Sequence, residues 1–303
     1  MPTEKPNLLV LLGPTASGKT RLGVAAAAAL GGEVISADSR QVYRGLDVGS
    51  GKDLEEYQDI PYHLIDIVEP GYEFSLFDFV SRFAAAFRAI RRRNRLPVLV
   101  GGTGLYLDAV LRRYRLIAVS ADPALRRRLA AMDLDQLRGR LRELRPDLHN
   151  STDLQDRDRL VRAIEIAEGE RDRAAEAVDL PDFTARVYGL SWPRPALRSR
   201  ISKRLQARLE NGLIEEVAGL HAAGVSWQTL DFYGLEYRFV AAHLQGQLSR
   251  NDLFQKLNSA IHQFAKRQET WFRRMQKQGI EIYWLDAAGD PLSDLLRDWR
   301  SRP

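Results

Sequence analysis

The residues best suited to chemistry begin at Gly13-Pro14-Thr15-Ala16-Ser17-Gly18-Lys19-Thr20. This stretch fits G-x-x-x-x-G-K-[ST] at every fixed position. It follows an apolar run, Leu8 to Leu12, and precedes a helix-like run, Arg21 to Leu30. Gly13 and Gly18 let the backbone bend tightly, so that successive N–H groups point inward beside the unpaired N–H groups that open a helix. Thr15, Ala16 and Ser17 complete the cradle. Lys19 adds a point charge for a terminal phosphate, and Thr20 offers a hydroxyl to Mg²⁺. The bland alternative is a glycine-rich turn that binds nothing. With Lys19 and Thr20 both in place, the stretch reads as a site for a di- or triphosphate.

Two further stretches belong beside it. Asp38-Ser39-Arg40-Gln41 follows the short strand-like run Glu33 to Ala37, and Gly101-Gly102-Thr103-Gly104 follows Pro97 to Val100. Three roles are open to Asp38: ligand of Mg²⁺ through water, general base, or cap of the turn that follows. Ser39 and Gln41 supply donors and acceptors that suit a base edge. The glycines at 101–104 permit close approach of a substrate.

Alternating strands and helices position these stretches. Residues 1–12, 33–37, 63–67, 97–100, 187–192 and 281–285 read as strands. Residues 19–30, 196–211 and 251–278 read as helices, with another capped by Ser75. Residues 46–57 read as a loop. The expected fold class is α/β, a P-loop NTPase-like parallel sheet flanked by helices. In such sheets ligands bind beyond the carboxyl ends of the strands, so the three stretches are expected to face one crevice. Helix 196–211 places Leu197, Ile201, Leu205 and Leu209 on one face and Arg200 and Arg204 on an adjoining stripe. The last long helix presents Leu253, Leu257, Ile261, Phe264, Gln268, Trp271 and Met275 inward, with Lys266, Arg267, Arg273 and Arg274 near its end.

Between about 113 and 189 the strands vanish. The expected organisation is a catalytic core of residues 1–112 and 190–303, interrupted by a small helical insertion, 113–189. Residues 112–162 hold 13 Arg and no Lys against 8 Asp and Glu, a surplus equal to the +5 of the whole chain. A locally basic segment suits a phosphate backbone, and a solvated helical surface explains it as well. With 303 residues and 45 % apolar content, the chain can bury a sizeable core. It has no cysteine, which excludes disulfides and thiolate metal sites and fits a reducing cytoplasm. The five histidines, His63, His149, His221, His243 and His262, contain no His-x-x-x-His pair, which argues against a zinc hydrolase. No signal peptide and no membrane-spanning run is expected.

The residues then become recognisable together. Gly13 to Thr20, Ile35 to Gly49, Val100 to Tyr106 and Ala265 to Phe272, in this order, resemble the tRNA dimethylallyltransferases over residues 8 to about 275. The resemblance implies that the phosphate loop holds dimethylallyl diphosphate rather than ATP, with Mg²⁺ at Thr20. It implies transfer of the allyl group to N6 of adenosine 37 of tRNA. Asp38 matches the family's base and Arg204 its catalytic arginine near the diphosphate. Asp38, Ser39, Arg40, Gln41 and Thr103 match tRNA-contacting positions, as do Arg126, Asp158, Arg159 and Arg162. The insertion would then hold the anticodon stem of the tRNA, and a cytoplasmic monomer is the expected form.

The chain departs from the family pattern at three places. Asp158 stands where Gln is usual. Tyr233-Gly234-Leu235-Glu236-Tyr237 replaces a Gly-Tyr-Arg/Lys-Gln/Glu stretch. Gly49-Ser50-Gly51-Lys52-Asp53 replaces Gly-Thr-Ala-Lys-Pro. Three other readings remain: allyl transfer to free adenine nucleotides, a small-molecule kinase in which Asp66 imitates an acidic metal-holding strand end, and a phosphate-loop RNA-binding module without catalysis.

Overall fold

The computed structural model describes residues 5–119, 122–146, 156–172 and 177–301. His149 and residues 1–4 of the expected first strand lie outside the described residues. The chain divides into two compact units, one formed by 1–113 with 180–303 and the other by 114–179.

The first unit is built on a six-stranded parallel sheet in the order β3-β2-β4-β1-β5-β6. The strands are β1 (Leu8–Leu12), β2 (Gly32–Ala37), β3 (Tyr62–His63), β4 (Leu96–Gly101), β5 (Ala185–Ser191) and β6 (Ile282–Asp286). β1 lies at the centre and is buried at every residue, as expected of a strand covered on both faces. Its alternate residues Leu9 and Leu11 join Val98, Val100 and Tyr188 in one apolar cluster. Helices α1 (Lys19–Leu30) and α12 (Pro291–Ser301) close that cluster through Leu22, Val24, Ala26, Ala27 and Leu295. On the opposite face α2 (Leu76–Arg92) packs against β2 and β4 with Phe79, Phe83 and Phe87 buried. Ser75 opens α2 with a reciprocal capping box to Asp78.

Helix α3 (Gly104–Leu111) follows β4. After β5 come α7 (Arg194–Glu210), α8 (Leu213–Ala222), α9 (Trp227–Phe232), α10 (Leu235–Leu244) and the 28-residue α11 (Arg250–Lys277). Pro195, expected to precede α7, lies in its first turn, where a missing N–H costs nothing.

The expected strand at 63–67 shrinks to Tyr62–His63. Leu64 and Asp66 take positive φ (66° and 54°), and Asp66, Ile67 and Val68 bond instead to the backbone of Gln41 and Val42. The first strand starts at Leu8, since Asn7 bonds Thr184 outside the ladder. The expected insertion boundary at 189 moves to 179, because residues 185–189 already pair with β1 in the sheet of the first unit.

The second unit carries α4 (Pro123–Ala130), α5 (Leu134–Leu144) and α6 (Arg157–Asp172). Leu125, Leu129, Leu137, Leu141, Leu160 and Ile164 form its core. Asp122 and Asp133 cap α4 and α5.

Candidate active site

A cavity of about 510 Å³ opens at the carboxyl ends of β1, β2 and β4. Thr15, Ala16, Gly18, Lys19 and Thr20 line it, with Asp38, Ser39, Arg40, Gln41, Gly101, Thr103 and Arg204. The three stretches singled out by sequence therefore share one crevice, as the parallel sheet requires.

Alternating backbone hands shape the phosphate loop. Ala16 and Gly18 both take positive φ (61° and 89°), which turns the intervening N–H groups toward a common centre. A Cβ at Gly13 would lie 2.7 Å from Ser17 Oγ, so the chain closes tightly only with glycine there. The loop is held from outside. Trp192 Nε1 donates to Ser17 O at 2.8 Å and Arg200 Nε to Ala16 O at 2.9 Å, with the Arg200 guanidinium over the Trp192 ring. Arg200 thus braces the loop, and Arg204, one turn on, reaches the cavity.

Gln268 ties the loop to the end of β4. Its side-chain carbonyl accepts from Thr15 N–H and its amide donates to Gly102 O at 2.9 Å. Thr103 Oγ1 accepts from Ser39 N–H at 3.2 Å. Asp38 both caps and faces the cavity: its Oδ1 accepts from Arg40 N–H at 2.9 Å. Gln41 accepts from Ser36 and donates to Gly51 O at 3.0 Å, so it fixes the loop of residues 46–53.

Lys19 is a strongly perturbed cation. Burial lowers it to about 8, Asp38 works against the shift, and Arg204 and Arg208 add to it. Arg204 Nη2 pairs with Asp53 Oδ2 at 2.7 Å. Among the described residues no group of three or more His, Cys, Asp or Glu could hold a metal ion. The donor set at Thr20 fits Mg²⁺ bound largely by phosphate oxygens and water, the usual mode for that ion.

Asp66 lies elsewhere. It pairs with the buried Lys52, which also donates to Tyr43 O at 2.8 Å and Asp47 Oδ1 at 2.5 Å. That engagement removes the feature that favoured a kinase.

Arg126, Asp158, Arg159 and Arg162 belong to the second unit. Asp158 and Arg159 are exposed on the first turns of α6. Arg126 and Arg162 both pair with Glu165, whose side chain is wholly buried. Burial alone would raise the Glu165 carboxyl. Arg126, the Asp122 N–H and Arg162 together outweigh it and hold the carboxyl below its usual range.

Sequence reasoning missed the bridging role of Gln268 and the cavity positions of Arg208 and Glu236. A glutamine in an otherwise apolar helix stripe was the available signal for the first. A third arginine in the series Arg200, Arg204, Arg208 was the signal for the second. Two residues read as inward on α11 behave differently: Phe264 is 39 % exposed at the cavity rim and Trp271 is half-buried, while their neighbours Ala265 and Phe272 take the core positions.

The fold and the cavity define a P-loop α/β enzyme with an acid and an arginine beside its phosphate loop. The chain belongs to the IPP transferase family, which it matches over residues 41–275. Residues 6–60 also match the isopentenyl transferase family. It is 64 % identical over 295 residues to tRNA dimethylallyltransferase 2 of Syntrophotalea carbinolica, covering 97 % of this chain and 99 % of that one. It is 60 % identical over 288 residues to tRNA dimethylallyltransferase 1 of Geotalea uraniireducens, covering 95 % of each. The crystal structure of the full-length tRNA isopentenylpyrophosphate transferase of Bacillus halodurans is similar at a TM-score of 0.71 and 32 % identity, over 98 % of this chain and 95 % of that one. A eukaryotic dimethylallyltransferase acting on tRNA shares the fold at a TM-score of 0.76 and 22 % identity, over 98 % and 80 % of the two chains. Among the described residues no helix is long and apolar enough to cross a membrane.

Proposed function

We propose that this chain transfers the dimethylallyl group of dimethylallyl diphosphate to N6 of adenosine 37 in tRNAs that read codons beginning with U. The products are N6-dimethylallyladenosine and diphosphate. One observation carries the reading: Lys19, Thr20 and Arg204, suited to an anionic leaving group, line the same cavity as Asp38.

The division of labour follows from the chemistry. As the allylic C–O bond opens, its electron pair moves to the bridging oxygen of the diphosphate. The phosphate-loop N–H groups, Lys19 and Arg204 stabilise that charge. Mg²⁺, held at Thr20 and by diphosphate oxygens, would supply further charge neutralisation. The adenine N6 is a weak nucleophile because its lone pair is delocalised into the ring. Asp38 takes the N6 proton as the new N–C bond forms. The adenine must leave its stack to enter the crevice; Ser39, Arg40, Gln41 and Thr103 would meet it there. The second unit, with Arg126, Asp158, Arg159 and Arg162, is the proposed holder of the anticodon stem, chiefly through phosphate contacts.

The test combines purified protein, Mg²⁺, dimethylallyl diphosphate and unmodified tRNA, followed by nuclease digestion and mass spectrometry. The expected result is dimethylallyl addition at adenosine 37. Asp38→Ala is expected to lower the rate by about 10²- to 10⁴-fold, the usual worth of a general base, and Arg204→Ala to lower it comparably. Prenylation of free adenine nucleotides with tRNA untouched would refute the substrate assignment.

A further inference from the structure

Two places where the sequence departs from its family pattern, 49–53 and 233–237, meet at one corner of the cavity, and Arg208 joins them. Arg208 lies on α7 one turn beyond Arg204, lines the cavity, and has only 12 % of its side chain exposed. Its Nη1 donates to Gly49 O at a long 3.3 Å and lies 3.7 Å from Glu236 Oε1. Its buried Nη2 has no hydrogen-bond partner. A guanidinium nitrogen withdrawn from water and left unpaired is costly, and so it marks a place for an acceptor.

Gly51 admits this arrangement. A Cβ at Gly51 would stand 1.6 Å from Arg208 Nη2 and 2.4 Å from Arg204 Nη2. The two guanidinium tips therefore meet over one backbone position, at a positive φ of 65°, and the alanine of the family pattern would push them aside. Asp53, where the pattern has proline, supplies the carboxylate paired with Arg204. Glu236, where the pattern aligned on Gly234 has Arg or Lys, faces Arg208 from α10. Two guanidinium groups held this close repel each other unless an anion lies between or beside them, and Lys19 feels both.

We propose that Arg208 is a further diphosphate-binding residue of this chain. Its Nη2, seated in the space that Gly51 leaves, donates to a diphosphate oxygen alongside Arg204, while Glu236 holds its other edge until the anion arrives. This deepens the donor assignment above and rests on it. The alternative is a strut, in which Arg208 and Glu236 merely pin the 49–51 loop.

The two differ in sign. Inorganic diphosphate with Mg²⁺ is titrated calorimetrically into the full chain and its variants, each checked by thermal melt. Arg208→Met is expected to weaken binding about tenfold or more, the effect of one charge-assisted hydrogen bond. Glu236→Gln removes the competing anion and is expected to tighten binding severalfold. Gly51→Ala is expected to weaken binding as well, since its Cβ would displace both guanidinium tips. Unchanged diphosphate affinity in Arg208→Met, or a Glu236→Gln variant that weakens binding in step with it, overturns the proposal in favour of the strut. A wild-type chain that does not bind diphosphate, or a Lys19→Met variant that binds as well as wild type, refutes the donor assignment itself and takes this one with it.

Discussion

The side-chain carbonyl of Gln268 accepts the Thr15 N–H at 2.8 Å, across 253 positions of chain. Through the other end of the same amide, α11 fixes the distance between the phosphate loop and the Gly102 carbonyl at the end of β4. One residue thus sets the separation between the walls proposed to hold the leaving group and the incoming base. Gln268→Leu keeps the shape and removes both bonds. The partly buried Thr15 N–H then lacks its partner, at about 1–3 kcal/mol. Displacement of reacting groups by about an ångström costs up to roughly 10²-fold in rate. The expected outcome is a melting temperature lowered by a few degrees and a kcat/KM for tRNA lowered about 10- to 100-fold. A variant with wild-type kinetics would reduce Gln268 to packing.

The depressed pKa of Lys19 gives the proposed diphosphate site a pH signature. The ligand-free value is about 8 against 10.5 for a free lysine. Between these two values the unfolded chain binds more protons than the folded one, so this group makes stability rise with pH from about 8 to 10.5. Below about 8 the folded chain carries the full cost of the buried charge. Bound diphosphate favours the charged amine, so binding near pH 8.5 is expected to take up a proton and binding near pH 6.5 to take up almost none. Calorimetry in buffers of different ionisation enthalpy measures this directly. Lys19→Met is expected to abolish the uptake; if uptake persists unchanged, another group is its source.

Much of this site was legible because its residues sit at strand ends. A parallel sheet sends the segments after β1, β2 and β4 to the same edge, so Lys19, Asp38 and Thr103 could be brought together without knowing any side-chain contact. The arginine stripe of α7 was legible through Arg204 by helical spacing. Gln268, Arg208 and Glu236 were not, since their roles depend on how α7, α10 and α11 pack after β5, and no local pattern encodes that. The short helices α8 to α10 escaped notice for a related reason. Their ends are set by glycines at positive φ, Gly212 and Gly234, and by Ser226 capping Thr229 N–H, rather than by a long apolar period. The contraction of β3 reflects backbone reversal at Leu64 and Asp66, which an apolar run gives no means to foresee.

Lys52 links that reversal to the site. Its side chain is 1 % exposed and its ammonium joins Tyr43 O, Asp47 and Asp66, while Glu216 accepts N–H groups from Asp47, Val48 and Gly49. Together they hold the loop that carries Gly51 and Asp53. Asp66→Asn leaves the buried Lys52 ammonium short of a carboxylate and is expected to destabilise the fold by about 3 kcal/mol, the scale of breaking a buried pair from one side, whereas Lys52→Met leaves Asp47 and Asp66 partly open to water and costs less. Chemical denaturation measures the loss. Were Asp66 a catalytic metal ligand, Asp66→Asn would abolish turnover while barely touching stability; the paired arrangement predicts the reverse.

Glu165 organises the second unit in the same way. Its buried carboxylate receives two bonds from Arg126, one from Arg162 and the N–H of Asp122. Those partners lower its pKa in the folded state, so its contribution is complete above the unfolded carboxylate value and is lost as pH falls through the folded one. Glu165→Ala leaves Arg126 and Arg162 without their shared anion beside a small core that, among the described residues, rests on Leu125, Leu129, Leu137, Leu141, Leu160 and Ile164. The expected result is local loss of α4 and α6 packing, with hydrogen exchange accelerated within 122–172 and tRNA affinity reduced at least tenfold. Binding of inorganic diphosphate with Mg²⁺, proposed to rest on residues of the first unit, is expected to stay at the wild-type value. Equal loss of both ligands would mean that the second unit is required for the first to fold. Loss of neither would remove the second unit from tRNA binding.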